Sequence, residues 1–164
     1  MKTVDLRSRF DFLVKDIARL NAVRFDRVAR AKIGLTHSQV RLLGTLATQG
    51  GAEGMTQQAL AGQLEMTQVG VARMCSRMEA AGWIRRHGLE SDRRVWIVTL
   101  TPRAHEAFEK ALALADELQE EVLGTLPAAR RRELLTLLQA VHAQLVTSPS
   151  PPGYRPIPKN APEH

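Results

Sequence analysis

Within residues 67–101, TQVGVARMCSRMEAAGWIRRHGLESDRRVWIVTLT, the chain concentrates side chains suited to gripping a polyanion. Thr67 begins a segment in which Gln68, Arg73, Ser76 and Arg77 fall on one side of a helical period and Val71, Met74, Cys75 and Met78 on the other. Gln68 and Arg73 carry the donor and acceptor groups that read base edges. The unpaired N–H groups of a helix start, at Thr67, favour a phosphate. Val69 sits in the same first turn, and the small residues Gly70 and Ala72 let a helix backbone approach a groove closely. Two short strands follow, Trp83 to His87 and Val95 to Leu100, the second alternating Trp96, Val98 and Leu100 on one face. The hairpin loop between them, Gly88 to Arg94, carries Asp92, Arg93 and Arg94, and Arg85, Arg86 and His87 on the adjoining strand are expected to face backbone phosphates. A solvated helix face is the plainer reading of Arg73 and Arg77.

The elements that position this segment are legible as helices. Leu6, Phe10, Leu13, Ile17 and Leu20 alternate spacings of four and three, the seam of a helix that packs along another and runs to about Ala31, with Gly34 as its stop. Thr36 and Gln39 form a capping box for a second helix with Val40, Leu43 and Leu46 inside. Thr48 to Gly54, with three glycines, reads as a loop. Met55 and Thr56 lead into a short third helix, Gln57 to Leu64, facing Leu60 and Leu64 to the core; Glu65 and Met66 turn, and Thr67 caps the fourth. Two short helices joined by about three residues are the helix-turn-helix signature. Gly82 is the left-handed terminator of the fourth helix.

Thr101-Pro102 opens a long helix with Phe108, Ala111, Leu112, Ala115, Leu118 and Val122 near heptad spacing, and Pro127 opens a last one with the stripe Leu134, Leu138, Val141 and Leu145. The tail beyond Val146 holds six prolines and reads as extended. The chain therefore divides into an N-terminal dimerisation helix (1–33), a DNA-binding domain (36–101), C-terminal dimerisation helices (102–146) and a Pro-rich tail (147–164). The seams on Leu6, Phe10, Leu13 and Ile17 and on Leu134, Leu138, Val141 and Leu145 exceed what a helix-turn-helix core can cover, so a twofold homodimer is expected, with an intramolecular three-helix bundle as the alternative.

Composition limits the function classes. The 164 residues carry 23 Lys plus Arg against 17 Asp plus Glu, a net +6 that favours a polyanionic partner. One cysteine and no secretory leader predict a cytoplasmic protein, and no apolar run approaches the roughly 20 residues of a membrane span. The five histidines stand alone, without metal-ligand spacing, so no metal and no cofactor are expected. The loop Gly50 to Gly54 follows a helix instead of a strand and is a poor phosphate cradle, and hydrolase, zincin and dinucleotide motifs are absent, which argues against an enzyme. Cys75 lies on the inward stripe, where a thiol stays neutral and unreactive.

From about Asp5 to Val146 the chain resembles the MarR family of winged helix-turn-helix transcriptional regulators, nearest its SlyA branch. The resemblance rests on Leu35, Thr36 and Gln39; Leu60, Ala61 and Leu64; Thr67 through Arg73; Glu79, Gly82, Trp83, Ile84 and Arg86; and most specifically Ser91, Asp92, Arg93, Arg94, Val98, Thr99, Leu100 and Thr101. Gly70 and Ala72 depart from it, because the family more often has polar residues there. The resemblance implies a mainly helical fold with a small antiparallel β wing, and a homodimer on double-stranded DNA at a pseudo-palindromic operator. Arg73 takes the place of a base-contacting arginine. It further implies a wing arginine in the minor groove, Arg93 as probe with Arg94 paired to Asp92, although the sequence alone leaves the two interchangeable. A small aromatic or anionic effector between dimer helices and winged domain is implied with no residues to mark it, and a peroxide-sensing role for Cys75 is set against its core position. A dimeric winged-helix interaction module without specific DNA binding is the rival reading.

Overall fold

The computed structural model describes residues 9–89 and 95–148. Its elements run α1 (Phe10–Ile33), α2 (His37–Gln49), β1 (Met55–Thr56), α3 (Gln57–Leu64), α4 (Gln68–Ala80), β2 (Ile84–Gly88), β3 (Trp96–Leu100), α5 (Pro102–Leu123) and α6 (Ala128–Thr147). The expected mainly helical architecture with a small antiparallel sheet is thus present. Leu6, Asp92, Arg93, Arg94 and residues 149–164 of the Pro-rich tail lie outside the described residues, whereas Thr147 is the last residue of α6.

Local chemistry sets most of the boundaries. Gly34, at φ 72°, closes α1 by donating its N–H to Ala29 O, two residues beyond the expected end. The capping box at α2 is formed: Gln39 N–H reaches Thr36 Oγ1 at 3.3 Å, and Gln39 Oε1 accepts from Thr36 N–H at 2.8 Å. Asp26 of α1 also accepts from the His37 N–H, tying the two helices at that corner. The expected loop begins later than Thr48, because α2 continues to Gln49 and Gly50 still donates to Leu46 O.

The sheet has one strand more than expected. β1 joins the hairpin on the far side of β3, with order β1-β3-β2 and all pairs antiparallel; Met55 pairs with Val98 and Thr56 with Ile97. Gly54 makes this approach possible: it stands at φ 80°, and a Cβ there would lie 2.3 Å from Val98 O. No side chain fits between that turn and the strand.

Two apolar clusters hold the fold. The larger joins Leu35, Leu42, Leu43 and Leu46 with Leu60, Leu64, Val71, Met74, Cys75, Met78, Trp83, Ile84 and Val98, and extends into α5 through Ala104 and Ala107. The smaller packs Phe25 and Ala29 of α1 against Ala111, Leu114 and Leu118 of α5. Arg24 strengthens this second contact, donating to Leu118 O at 3.3 Å and pairing with Glu121. The buried stripe of α5 therefore runs Ala104, Ala107, Ala111, Leu114, Leu118, whereas Leu112 and Val122, expected in it, are exposed.

Helix α6 buries no residue. It is held at its start by Arg131, which bonds both Glu120 carboxylate oxygens at 2.7 Å and Leu126 O at 3.1 Å. Phe10, Leu13 and Ile17 on α1 and Leu138 and Leu145 on α6 are exposed, Ile17 at 57% and Leu145 at 66%; Leu134 and Val141 are half-buried. Among the described residues no helix is long and apolar enough to cross a membrane.

Thr101 joins three elements at one buried point. Its Oγ1 donates toward Gly82 O (2.9 Å) and Trp83 O (3.0 Å) and accepts from Ala104 N–H (3.3 Å), so one hydroxyl caps α5 and clamps the turn after α4. Thr101→Val keeps the shape and leaves these backbone groups without their partner; it is expected to cost about 1–3 kcal/mol of stability, measured by denaturant unfolding.

Candidate nucleic-acid interface

The exposed surface of α4 begins with two caps and an unusual turn. Thr56 Oγ1 accepts from Ala59 N–H at 3.0 Å to start α3, and Thr67 Oγ1 accepts from Gly70 N–H at 3.1 Å to start α4. Between them Glu65 adopts the left-handed conformation at φ 54°, and Met66 donates to Ala61 O at 3.0 Å. This closed turn fixes the angle at which α4 leaves α3. Gly70 also serves the cap: a Cβ there would stand 3.0 Å from Thr67 Oγ1.

Burial then fixes which side of α4 is displayed. Val71, Met74, Cys75 and Met78 are buried, as their spacing predicts. Thr67, Gln68, Val69, Arg73, Ser76 and Arg77 are exposed, with Gly70 and Ala72 half-buried at the edges. Among the described residues neither Arg73 nor Arg77 takes part in a salt bridge. Their charges face outward, available to an anionic partner.

The far end of α4 leads straight into the hairpin. Gly82, at φ 74°, ends the helix, and Trp83 N–H returns to Met78 O at 2.9 Å. Arg103 lies across the Trp83 ring, 4.0 Å from its centre, and donates to Ala81 O at 3.0 Å. β2 pairs with β3 from Ile84↔Leu100 to Gly88↔Trp96, and Leu89 N–H bonds Val95 O at 2.9 Å, carrying the hairpin to the edge of the described residues. The expected tip, Asp92, Arg93 and Arg94, lies beyond that edge.

Strand register separates the hairpin's basic residues. Arg85 and His87 are exposed, on the outer face. Arg86 departs from the expectation that it faces phosphates: it lies opposite the buried Val98, on the inner face. Its Nε and Nη2 donate to Glu79 Oε2 at 2.8 and 2.6 Å, its backbone N–H donates to Glu79 Oε1 at 2.9 Å, and its guanidinium sits 5.4 Å from the Trp96 ring centre. A guanidinium committed on this scale is a strut between α4 and β2. Glu79, to which the sequence alone assigns no role, is the other half of it. The alternation of Trp96 and Val98 was the signal available, since it puts their β2 partners Gly88 and Arg86 on the same face.

The electrostatics agree. The Arg86 hydrogen bonds hold the Glu79 carboxyl below its ordinary range. Burial pushes the Cys75 thiol up to about 11, only partly opposed by the nearby Arg86 charge. Cys75 is a free, buried thiol, as its place on the inward stripe predicts. No group of three or more His, Cys, Asp or Glu side chains with metal-site geometry occurs among the described residues.

A short helix, a closed turn, an outward-facing helix and an antiparallel hairpin define a winged helix-turn-helix unit. The sequence profile of the MarR family matches residues 33–95. The chain is 35% identical over 86 residues to the HTH-type transcriptional regulator BilQ of Clostridium symbiosum, covering 52% of this chain and 60% of that protein. It is 30% identical over 105 residues to the transcriptional regulator HosA of Escherichia coli, covering 64% of this chain and 76% of the relative. The Staphylococcus aureus MepR–DNA complex superposes with a TM-score of 0.68 at 20% identity, over 83% of this chain and 98% of that one. The chain belongs to the MarR family.

Two outcomes follow from the strut and the thiol. Because the folded-state Glu79 value is depressed, its stabilising contribution is complete above the ordinary carboxylate range, roughly pH 4.3, and declines as pH falls through the lower folded value. Glu79→Gln is expected to lower stability at pH 7 and to flatten the acid limb of the stability profile, measured by denaturant unfolding across pH 2–7. Cys75 in the native protein is expected to react with a thiol-alkylating reagent at pH 8 only on the timescale of unfolding; fast alkylation would contradict its burial.

Proposed function

We propose that the protein is a sequence-specific DNA-binding transcriptional regulator that acts as a homodimer on a pseudo-palindromic operator, with half-sites about one helical turn apart. The observation that carries this reading is the outward row Gln68, Arg73 and Arg77 on a capped helix whose opposite face is wholly buried. On this reading α4 enters the major groove with Thr67, Gln68, Val69, Gly70, Ala72, Arg73 and Arg77 toward the DNA. Arg73 bridges the two acceptors of a guanine. Arg85 and His87 lie toward phosphates, Arg93 probes the narrow minor groove, and Asp92 holds Arg94. Arg86 contributes by bracing the wing instead of touching DNA. That relatives are named transcriptional regulators, and that a neighbour of the same fold is described in complex with DNA, supports the assignment over an enzymatic one.

The homodimer accounts for the exposed apolar side chains at the two ends of the chain, with 1–33 and 102–146 as the dimerising parts around the DNA-binding domain 36–101. Phe10, Leu13 and Ile17 on α1, with Leu134, Leu138, Val141 and Leu145 on α6, form the surface a second copy would cover, and Leu6 extends it. Placement nearest the SlyA branch, residence in the cytoplasm and a small aromatic or anionic effector belong to the same reading. Such a ligand can weaken DNA binding only as far as it prefers the DNA-incompetent form. The hollow of about 190 Å³ lined by Leu46, Gly51, Thr99, Leu100 and His105 is below the roughly 300 Å³ at which small-molecule pockets begin, and no effector is assigned to it.

Gel shifts on specific and scrambled duplexes test the DNA roles. Arg73→Ala is expected to lose about tenfold or more on the specific duplex with little change on the scrambled one, whereas Arg93→Ala weakens both and lowers the salt slope by about 0.9. Salt-insensitive binding to duplexes would favour the interaction-module alternative. Light scattering at micromolar concentration is expected to give twice the 18.2 kDa chain mass, and a value near 18.2 kDa would remove the palindromic operator with the dimer.

A further inference from the structure

Val69 stands out on the reading surface for an elementary reason. It is 63% exposed, and among the described residues it is the one exposed large hydrophobic side chain of α2, α3 and α4; the others lie on α1, the hairpin, α5, α6 or the turn before α6. A β-branched residue gains nothing from an exposed helical position, where it loses side-chain freedom and covers no core. One turn on stand the half-buried Ala72 and the exposed Arg73, and Gln68, Ser76 and Arg77 make up the rest of the exposed face. The backbone position of Val69 is fixed by the Thr67 cap, which bonds the very next residue, Gly70, at 3.1 Å. The apolar group is thus presented rigidly in the middle of a cationic surface.

Only one feature of a duplex major groove rewards such a group. The groove edges are donors and acceptors apart from the C5 methyl of thymine. A carboxamide, hydroxyl or guanidinium beside Val69 can satisfy the polar positions, but the two γ-methyls of valine gain most from that methyl, the one apolar group that projects from the base edges. Val69 and Arg73 are four residues apart on one helix face, a rise of about 6 Å, against about 3.4 Å per base pair. The base each meets therefore lies about two steps from the other.

We propose that Val69 is a specificity-determining residue that reads a thymine methyl in each half-site, about two base pairs from the guanine met by Arg73. This rests on α4 being the recognition helix, as proposed above, and adds the base it selects and the group that selects it. The half-site then carries a thymine and a guanine in fixed spacing, one read by an apolar contact and the other by a bidentate cation. Gly70 and Ala72 on either side allow the helix to come close enough for a methyl contact, which is lost if the gap opens by the width of a water molecule.

The test replaces thymine by uracil, which removes that methyl and changes nothing else on the base. The probe is the duplex recovered by selecting bound fragments with the full-length protein, remade with uracil at one thymine at a time. Wild-type affinity is expected to fall roughly fourfold at one thymine per half-site, the equivalent of one buried methyl at about 0.8 kcal/mol. Val69→Ala is expected to bind the thymine and uracil forms of that position equally, with circular dichroism unchanged and the thermal midpoint not lowered, because the side chain is exposed and alanine is the better helix former. Two results overturn the proposal while leaving the regulator reading intact: specific binding insensitive to uracil at every thymine, or a uracil effect that persists undiminished in Val69→Ala. Recovery of no preferred duplex would defeat the regulator reading itself, and the Val69 assignment with it.

Discussion

The structure depends on the burial of one face of α4. With Val71, Met74, Cys75 and Met78 locked into the larger core, rotation of the helix about its own axis would drag apolar groups into water and charges into the core. Burying four side chains of this kind is worth several kcal/mol, about 1.5–3 kcal/mol each for the larger ones. The outward face is therefore as well determined as the inward one. A surface defined in this way can be rigid without any contact of its own, which is what a helix meant to meet an external partner requires.

Both ends of α4 are then fixed by polar contacts. The Thr67 hydroxyl sets the first turn, and the Glu79 to Arg86 strut sets the last turn against β2, with Thr101 and Arg103 bracing the turn between them. The hairpin thus inherits its direction from the helix. At the other side of the domain α5 belongs to both apolar clusters, and Ile33 and Val40 pack against each. The α1–α5 pair and the winged unit consequently share side chains, so a shift in one repacks the other.

Much of this was legible in the sequence, for reasons that differ by element. Caps read well because their chemistry is local: Thr36 with Gln39, Thr67 and Thr101 each satisfy N–H groups within three residues. The α4 stripe read well because it faces a single core. α5 was harder, since it packs on two clusters and its small residues Ala104 and Ala107 do the burying where larger Leu112 and Val122 stay outside. β1 is not legible because two residues carry no period, and its partner strand β3 lies forty-odd positions away in the chain, reached past Gly54. Arg86 was misplaced because an arginine in a basic hairpin looks solvated until strand register sets it opposite Val98 and beside Glu79.

On the proposed function, two copies of the α4 surface, held a turn of duplex apart, select DNA by sequence. Sequencing the genomic fragments retained by the full-length protein at physiological salt tests it most directly. An enriched inverted repeat is expected, its half-site centres about 10 base pairs, or a multiple of one turn, apart. Fragments with no shared motif, or a motif lacking twofold symmetry, would contradict it.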